Sequence, residues 1–357
     1  MEGLGHTNTS EAAARGLPIP PHFDAAGVGK VWRVPYQQRA AQAEAWARRH
    51  QIPAAASDAK RVCLLLVDCQ NTFCIPGFEL FVAGRSGNGA VEDNLRLCRF
   101  IYQNLPAITR IIPTLDTHAA MQIFHPIFWV NGKGEHPKGG QTVVSLEDVR
   151  SGNWKVNPAM ADSVVPGGYE KLRRYAEHYV GKLTEAGKYP LMIWPYHAML
   201  GGIGHALVSS VEEAVFFHAI ARKSQMRCQI KGEHPLTEHY SVLHTEVRQD
   251  EEGKAIAGPG SDLLETLLGF DALIIAGQAK SHCVAWTVDD LLGEPGARAP
   301  GAADKVYLLE DCTSPVVVPG VVDFTERAGR AFQRFAEAGT HIVKSTTPME
   351  HWPGMQT

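Results

Sequence analysis

The run Leu273-Ile274-Ile275-Ala276-Gly277 is apolar and closed by glycine, and Cys283 follows at the head of a helix-like segment. That pattern reads as a buried strand, a tight turn and a helix whose first turn carries a thiol. A cysteine placed there feels unpaired backbone N–H groups and the positive end of a helix dipole, which favour the nucleophilic thiolate. A free cysteine is also a common core residue, and this stretch alone leaves both readings open. Four other apolar runs close in the same way. Asp68 ends Arg61–Val67, and Asp116 with His118 follows Ile108–Leu115. His197 follows Pro190–Trp194, and Lys231 follows Met226–Ile230. Taken singly, the acid is commonly a helix cap, the lysine solvated and the histidine a packed polar residue. Five such groups at one edge of a sheet are harder to dismiss, because in open α/β sheets ligands bind outside the carboxyl ends of the strands.

The elements needed to carry these groups are legible as alternating strands and helices. Strands are expected at Arg61–Asp68, Ile108–Leu115, Pro190–Trp194, Met226–Ile230, Leu273–Gly277 and Val306–Leu309, with a short one at Thr340–Lys344. Helices are expected at about 91–106, Val211–Arg222, from Cys283 onward, and Val321–Ala338. Cys69–Phe73 reads as loop. The fold class is α/β, a doubly wound, mainly parallel six-stranded sheet in three layers with helices on both faces. Residues 1–58 form an N-terminal extension holding one exposed Ala- and Arg-rich helix at about 37–50, placed to pack on a neighbouring subunit or to cover a site edge. Residues 59–357 form the main domain, interrupted by a weakly patterned insertion at about 131–188.

Composition sets the outer limits. The 357 residues, 45% hydrophobic and 20% charged, are those of an ordinary globular protein. A net charge of -4 gives no reason to expect nucleic acid or an anionic membrane as partner. The seven cysteines show no paired metal-ligand spacing, which suits free thiols in a reducing cytoplasm. The first residues have no basic and apolar leader pattern, so a cytoplasmic location is expected.

Taken together, the motifs resemble one family. Asp68-Cys69-Gln70-Asn71-Thr72-Phe73 looks like the D-x-Q-x-x-F opening of the isochorismatase-like cysteine hydrolases. Gly277-Gln278-Ala279-Lys280-Ser281-His282-Cys283-Val284 resembles their nucleophile turn, and Lys231-Gly232 with Tyr240-Ser241 is similar to their lysine segment. Asp116-Thr117-His118 and Trp194-Pro195-Tyr196-His197 are similar to segments of the nicotinamidase branch. The resemblance covers about 61–345, interrupted by the insertion. It implies that Cys283 is the nucleophile, Asp68 the base and Lys231 the stabilising cation. It also implies an oxyanion hole on the backbone N–H groups of Ala279 and Cys283, with a cis Gln278–Ala279 bond. One divalent transition metal, Zn, Fe or Mn, would sit on Asp116, His118 and His197, with Phe73 and Trp194 sandwiching the substrate ring. His125, near a fourth ligand position in some relatives, stands slightly far along the chain from His118. His136 lies in a Lys- and Gly-rich loop where a solvated side chain is expected.

The implied activity is hydrolysis of a small carboxamide, foremost nicotinamide to nicotinate and ammonia, and a homo-oligomer is the expected assembly. Two other readings stay open. A metal-free amidase of the same superfamily would act on a carbamoyl, ureido or maleamate-type substrate, and the Asp116, His118 and His197 set speaks against it. A catalytically silent binding protein on the same fold would not be expected to retain Asp68, Lys231 and Cys283 together.

Overall fold

The structure, a computed structural model, describes residues 16–165, 168–256, 261–294 and 301–355. Its centre is a six-stranded sheet of β1 (Val62–Val67), β2 (Arg110–Asp116), β3 (Gln229–Lys231), β4 (Ala272–Gly277), β5 (Val306–Leu309) and β6 (His341–Val343), in the order β6-β5-β4-β1-β2-β3. Every neighbouring pair is parallel. All six residues of β1 are buried, as are all six of β4, which is why both read as unbroken apolar runs.

Alternate side chains of β1 serve two cores. Leu64 and Leu66 pack with helices α1 (Tyr36–Arg49), α2 (Gly89–Gln103) and α4 (Ser209–Arg222) on one face. Cys63, Leu65 and Val67 pack with α5 (Ser261–Leu268), α6 (Cys283–Gly293) and α7 (Thr325–Glu337) on the other. The three-layer expectation is met. A third core joins α3 (Gly168–Glu185) to Ile123, Phe124, Phe128, Trp129, Leu191 and Ile193. The segment that reads as weakly patterned therefore has an apolar centre of its own, built with residues from both sides of 131–188.

Several expectations need correcting. The run Pro190–Trp194 does not enter the central sheet. Only Leu191–Met192 is strand, and it pairs antiparallel with Val143–Val144. Buried Leu191 and Ile193 face the third core, so a short apolar run looked like a central strand when its partner lay inside the insertion. The sixth place goes to β6 instead. Asn71–Cys74 is a turn of helix rather than loop. The helix of the N-terminal segment is not solvent-exposed all round: Arg39, Ala43 and Trp46 are buried, and Arg39 Nε bonds Glu213 Oε1 of α4 at 2.5 Å.

Register places the chemistry. Val67 pairs with Gly277 and Asp116 with Lys231, so the carboxyl ends of four strands finish at one level. Gly277 is required there. Its φ is +114°, and a Cβ would stand 2.0 Å from the Val67 carbonyl oxygen, a separation no side chain survives.

Candidate active site

Asp68 stands immediately after β1, in a left-handed conformation at φ +46°. Its backbone N–H donates to Thr114 Oγ1 at 3.0 Å, and the Thr114 hydroxyl donates to Asp68 Oδ1 at 2.5 Å. Oδ2 lies 3.0 Å from Lys231 Nζ. Lys231 also reaches Asp116 Oδ1 at 2.9 Å and donates to the His239 carbonyl at 2.8 Å, with Cys283 Sγ 3.7 Å away. Cys283 begins α6, and its sulfur shares the Lys231 ammonium with Asp68. Thus Cys283, Asp68 and Lys231, separated widely in sequence, meet at one sheet edge with the lysine and the aspartate fully shielded from solvent.

Burial decides the protonation states. Burial pushes the Cys283 thiol well above its ordinary value, with Lys231 opposing. Burial likewise raises Asp68, again against Lys231. Lys231 goes the other way: burial disfavours its charge, but Asp116 and Asp68 hold it above its usual range. Burial thus favours the protonated thiol and raises the basicity of the Asp68 carboxylate, and Lys231 opposes both. A base shifted upward takes a proton more readily, and the cation stabilises the thiolate it leaves behind.

The turn between β4 and α6 is anchored at several points. The peptide bond Gln278–Ala279 is cis. Gln278 N–H donates to the Val67 carbonyl at 2.8 Å, and its side chain donates to Asp93 Oδ2 at 2.9 Å. The Ala279 carbonyl accepts from His282 and Val284 at 3.0 and 3.2 Å. Among the described residues neither the Ala279 N–H nor the Cys283 N–H donates to another group. Cys283 N–H is an orphan of the first helical turn. Two free donors beside one sulfur suit an oxyanion.

Asp116, His118 and His197 come together as well. Asp116 Oδ1 lies 3.2 Å from His118 Nε2, and Oδ2 lies 3.8 Å from His197 Nε2. His125 joins them: ligand atoms of His118, His125 and His197 all fall within 4.8 Å of one another. The chain folds back tightly over 119–124, with His125 N–H bonded to the Gln122 carbonyl at 2.8 Å, which shortens a spacing that looks long in sequence. The other ring nitrogen of each imidazole faces a backbone carbonyl: His118 Nδ1 to His197 at 3.2 Å, His125 Nδ1 to Ala120 at 3.2 Å, His197 Nδ1 to Pro195 at 2.7 Å. That contact protonates Nδ1 and turns each Nε2 lone pair inward. His125 Nε2 is buried with no hydrogen-bond partner.

Burial lowers the pKa of His125 to about 4 and holds that of His197 well below its ordinary value, with His118 reinforcing both. Burial resists ionisation of Asp116, yet His118 and Lys231 hold its carboxyl well below the usual range. The Lys231 ammonium is shared by the Asp68 and Asp116 carboxyl groups beside the converging imidazoles. This donor set fits one divalent transition metal. His136 is elsewhere, exposed, with Nδ1 2.7 Å from the Trp129 carbonyl.

No protein-family model and no curated protein sequence matches this chain. Solved structures do. The chain is similar to nicotinamidases. The yeast nicotinamidase bound to the inhibitor nicotinaldehyde is 17% identical, with a TM-score of 0.48, over 79% of this chain and 99% of that one. An Acinetobacter baumanii nicotinamidase is 17% identical, with a TM-score of 0.46, over 81% of this chain and 99% of that one. A Pyrococcus horikoshii pyrazinamidase in complex with zinc is 18% identical, with a TM-score of 0.41, over 80% of this chain and 99% of that one. At identities this low, the chemistry has to be derived from the side chains of this chain.

A cavity of about 300 Å³ opens onto Cys283, Ala279, Asp116, His118 and His197. Phe73 and Trp194 both line it, with the Phe73 ring 5.8 Å from that of His197. Sequence reading passed over the groups that fix these parts. Gln70 ties β1 to β2 through reciprocal 2.8 Å bonds with the Asp116 backbone. Trp194 Nε1 donates to Tyr240 Oη at 3.1 Å, and the Tyr240 hydroxyl donates to Glu238 Oε1 at 2.6 Å. Gln70 stood inside a quoted motif and could have been found there. Glu238 lies in a polar stretch without pattern, and nothing in the sequence marks it.

Proposed function

We propose that this chain hydrolyses a small heteroaromatic carboxamide, with nicotinamide the first candidate, to the carboxylic acid and ammonia. The observation that carries this reading is the cluster of Cys283, Asp68 and Lys231, with the Ala279 and Cys283 N–H groups, which bond to nothing among the described residues, on the same cavity. Cys283 Sγ attacks the carbonyl carbon while its proton passes to Asp68. The oxyanion forms against the Ala279 and Cys283 N–H groups. Collapse breaks the C–N bond, and Asp68 returns the proton to the departing nitrogen, leaving a thioester. Asp68 then takes a proton from water as the hydroxyl adds to the thioester, and when the C–S bond breaks to give the acid, Asp68 returns that proton to the sulfur. Lys231 keeps the anionic partners charged in a buried space throughout.

His118, His125 and His197, with Asp116, would hold a divalent transition metal. Bound there, the metal supplies a coordination point for a ring nitrogen and so positions the amide. Phe73 and Trp194 flank the ring, and Glu238 through Tyr240 fixes the indole. The inward-facing imidazoles favour this reading over a metal-free amidase. Ammonia release from nicotinamide tests it, run beside Cys283→Ala and Asp68→Asn. Turnover by the parent protein and a loss of at least a hundredfold in both variants is expected. Equal turnover by Cys283→Ala would refute the reading.

A further inference from the structure

One set of side chains lining the cavity is apolar and takes no part in the hydrolysis described above. It is made by two segments far apart in sequence. Phe78, Leu80 and Phe81 come from the loop after Asn71–Cys74, and Val316, Val317 and Val318 lead into a small hairpin in which Val317–Val318 pairs antiparallel with Val322–Asp323. Phe78, Leu80, Phe81 and Val316 are half-buried against the main core, and Val318 is 38% exposed. Six apolar side chains from two segments thus converge on the same space as the reacting sulfur and stay partly open to water. A cavity of about 300 Å³ is of the class that takes drug-sized ligands. Phe73 and Trp194 account for one ring, and these six further apolar side chains line the same cavity.

Resting on the amide-hydrolase reading above, we infer that this wall is a substrate subsite for an apolar substituent. The preferred substrate is then a ring carboxamide carrying an alkyl or aryl group directed away from the carboxamide. Burial of one methylene improves binding enough to raise kcat/KM about fourfold where the contact persists in the transition state.

The test compares nicotinamide with pyridine-3-carboxamides bearing methyl, propyl or phenyl at ring carbon 5 or 6. A stepwise rise is expected in one of the two positional series, reaching at least tenfold in kcat/KM for propyl over hydrogen. Phe81→Asp and Val317→Asp each lower the propyl-to-hydrogen ratio at least tenfold. Should Phe81→Asp fail to fold, the half-exposed hairpin variant Val317→Asp gives the same comparison. Turnover of the propyl amide without turnover of nicotinamide also supports the subsite. Turnover of nicotinamide with a flat or falling series in both positions overturns the subsite and leaves the hydrolase reading standing. No turnover of any member overturns both.

Discussion

Lys231→Met removes the cation that Asp68, Asp116 and Cys283 share while nearly matching the lysine stem in shape. Sγ lies 3.7 Å from Nζ, and at an effective dielectric of about 20 that separation is worth about 4 kcal/mol. Its loss lowers the thiolate fraction of Cys283 by about a thousandfold at a given pH. The two carboxylates at 3.0 and 2.9 Å are left uncompensated, and breaking such a buried pair costs about 3–5 kcal/mol of stability. Iodoacetamide alkylation of Cys283, followed by peptide mass spectrometry across pH, reads the first effect. Chemical denaturation reads the second. Both are run well below the variant's melting temperature, with Lys231→Arg as the variant that keeps the charge. Alkylation expected to be strongly slowed in the methionine variant should recover in part with arginine. An unchanged alkylation profile in folded Lys231→Met would refute the electrostatic account of the thiol.

Further outcomes follow from the same geometry. His125→Ala should lower metal affinity by at least tenfold, read by elemental analysis after dialysis, whereas His136→Ala should leave metal content unchanged. Gly277→Ala forces a Cβ to 2.0 Å from a carbonyl oxygen and should destabilise the fold by more than about 4 kcal/mol, measured by urea unfolding. Burial raises Glu238 to about 8 from 4.5. The folded state therefore holds a proton that the unfolded state has released, so stability falls as pH rises from 4.5 to 8, by on the order of 5 kcal/mol from this group. Glu238→Gln should flatten that part of the pH–stability curve, and an unchanged slope would count against the assignment.

The sheet was readable wherever a strand is buried on both faces. β1 and β4 carry uninterrupted apolar runs because each sits between two helical layers, and their terminal Asp68 and Gly277 mark the site edge directly. The same logic misplaced Pro190–Trp194, because an apolar run does not reveal whether its neighbour is the main sheet or an insertion. Of the candidate ligands, Asp116 and His118 were visible at the end of β2 and His197 after an apolar run, but His125 joins the cluster only through a loop that folds back, which spacing alone conceals. Helix α1 looked exposed because Ala and Arg dominate it, and Arg39 is buried only by virtue of Glu213. Glu238 and the apolar wall of the cavity depend on loops brought together by the fold, where no periodic signal exists.

The central claim is a covalent acyl-enzyme on Cys283. The most direct measurement is acid-quenched mass spectrometry of the protein during nicotinamide turnover, with peptide mapping of the adduct. A nicotinoyl group on Cys283, absent in Cys283→Ala and accumulating in step with the first ammonia released, is the predicted result. Steady ammonia release that persists in Cys283→Ala, with no acyl group on that cysteine in the parent protein, would contradict it.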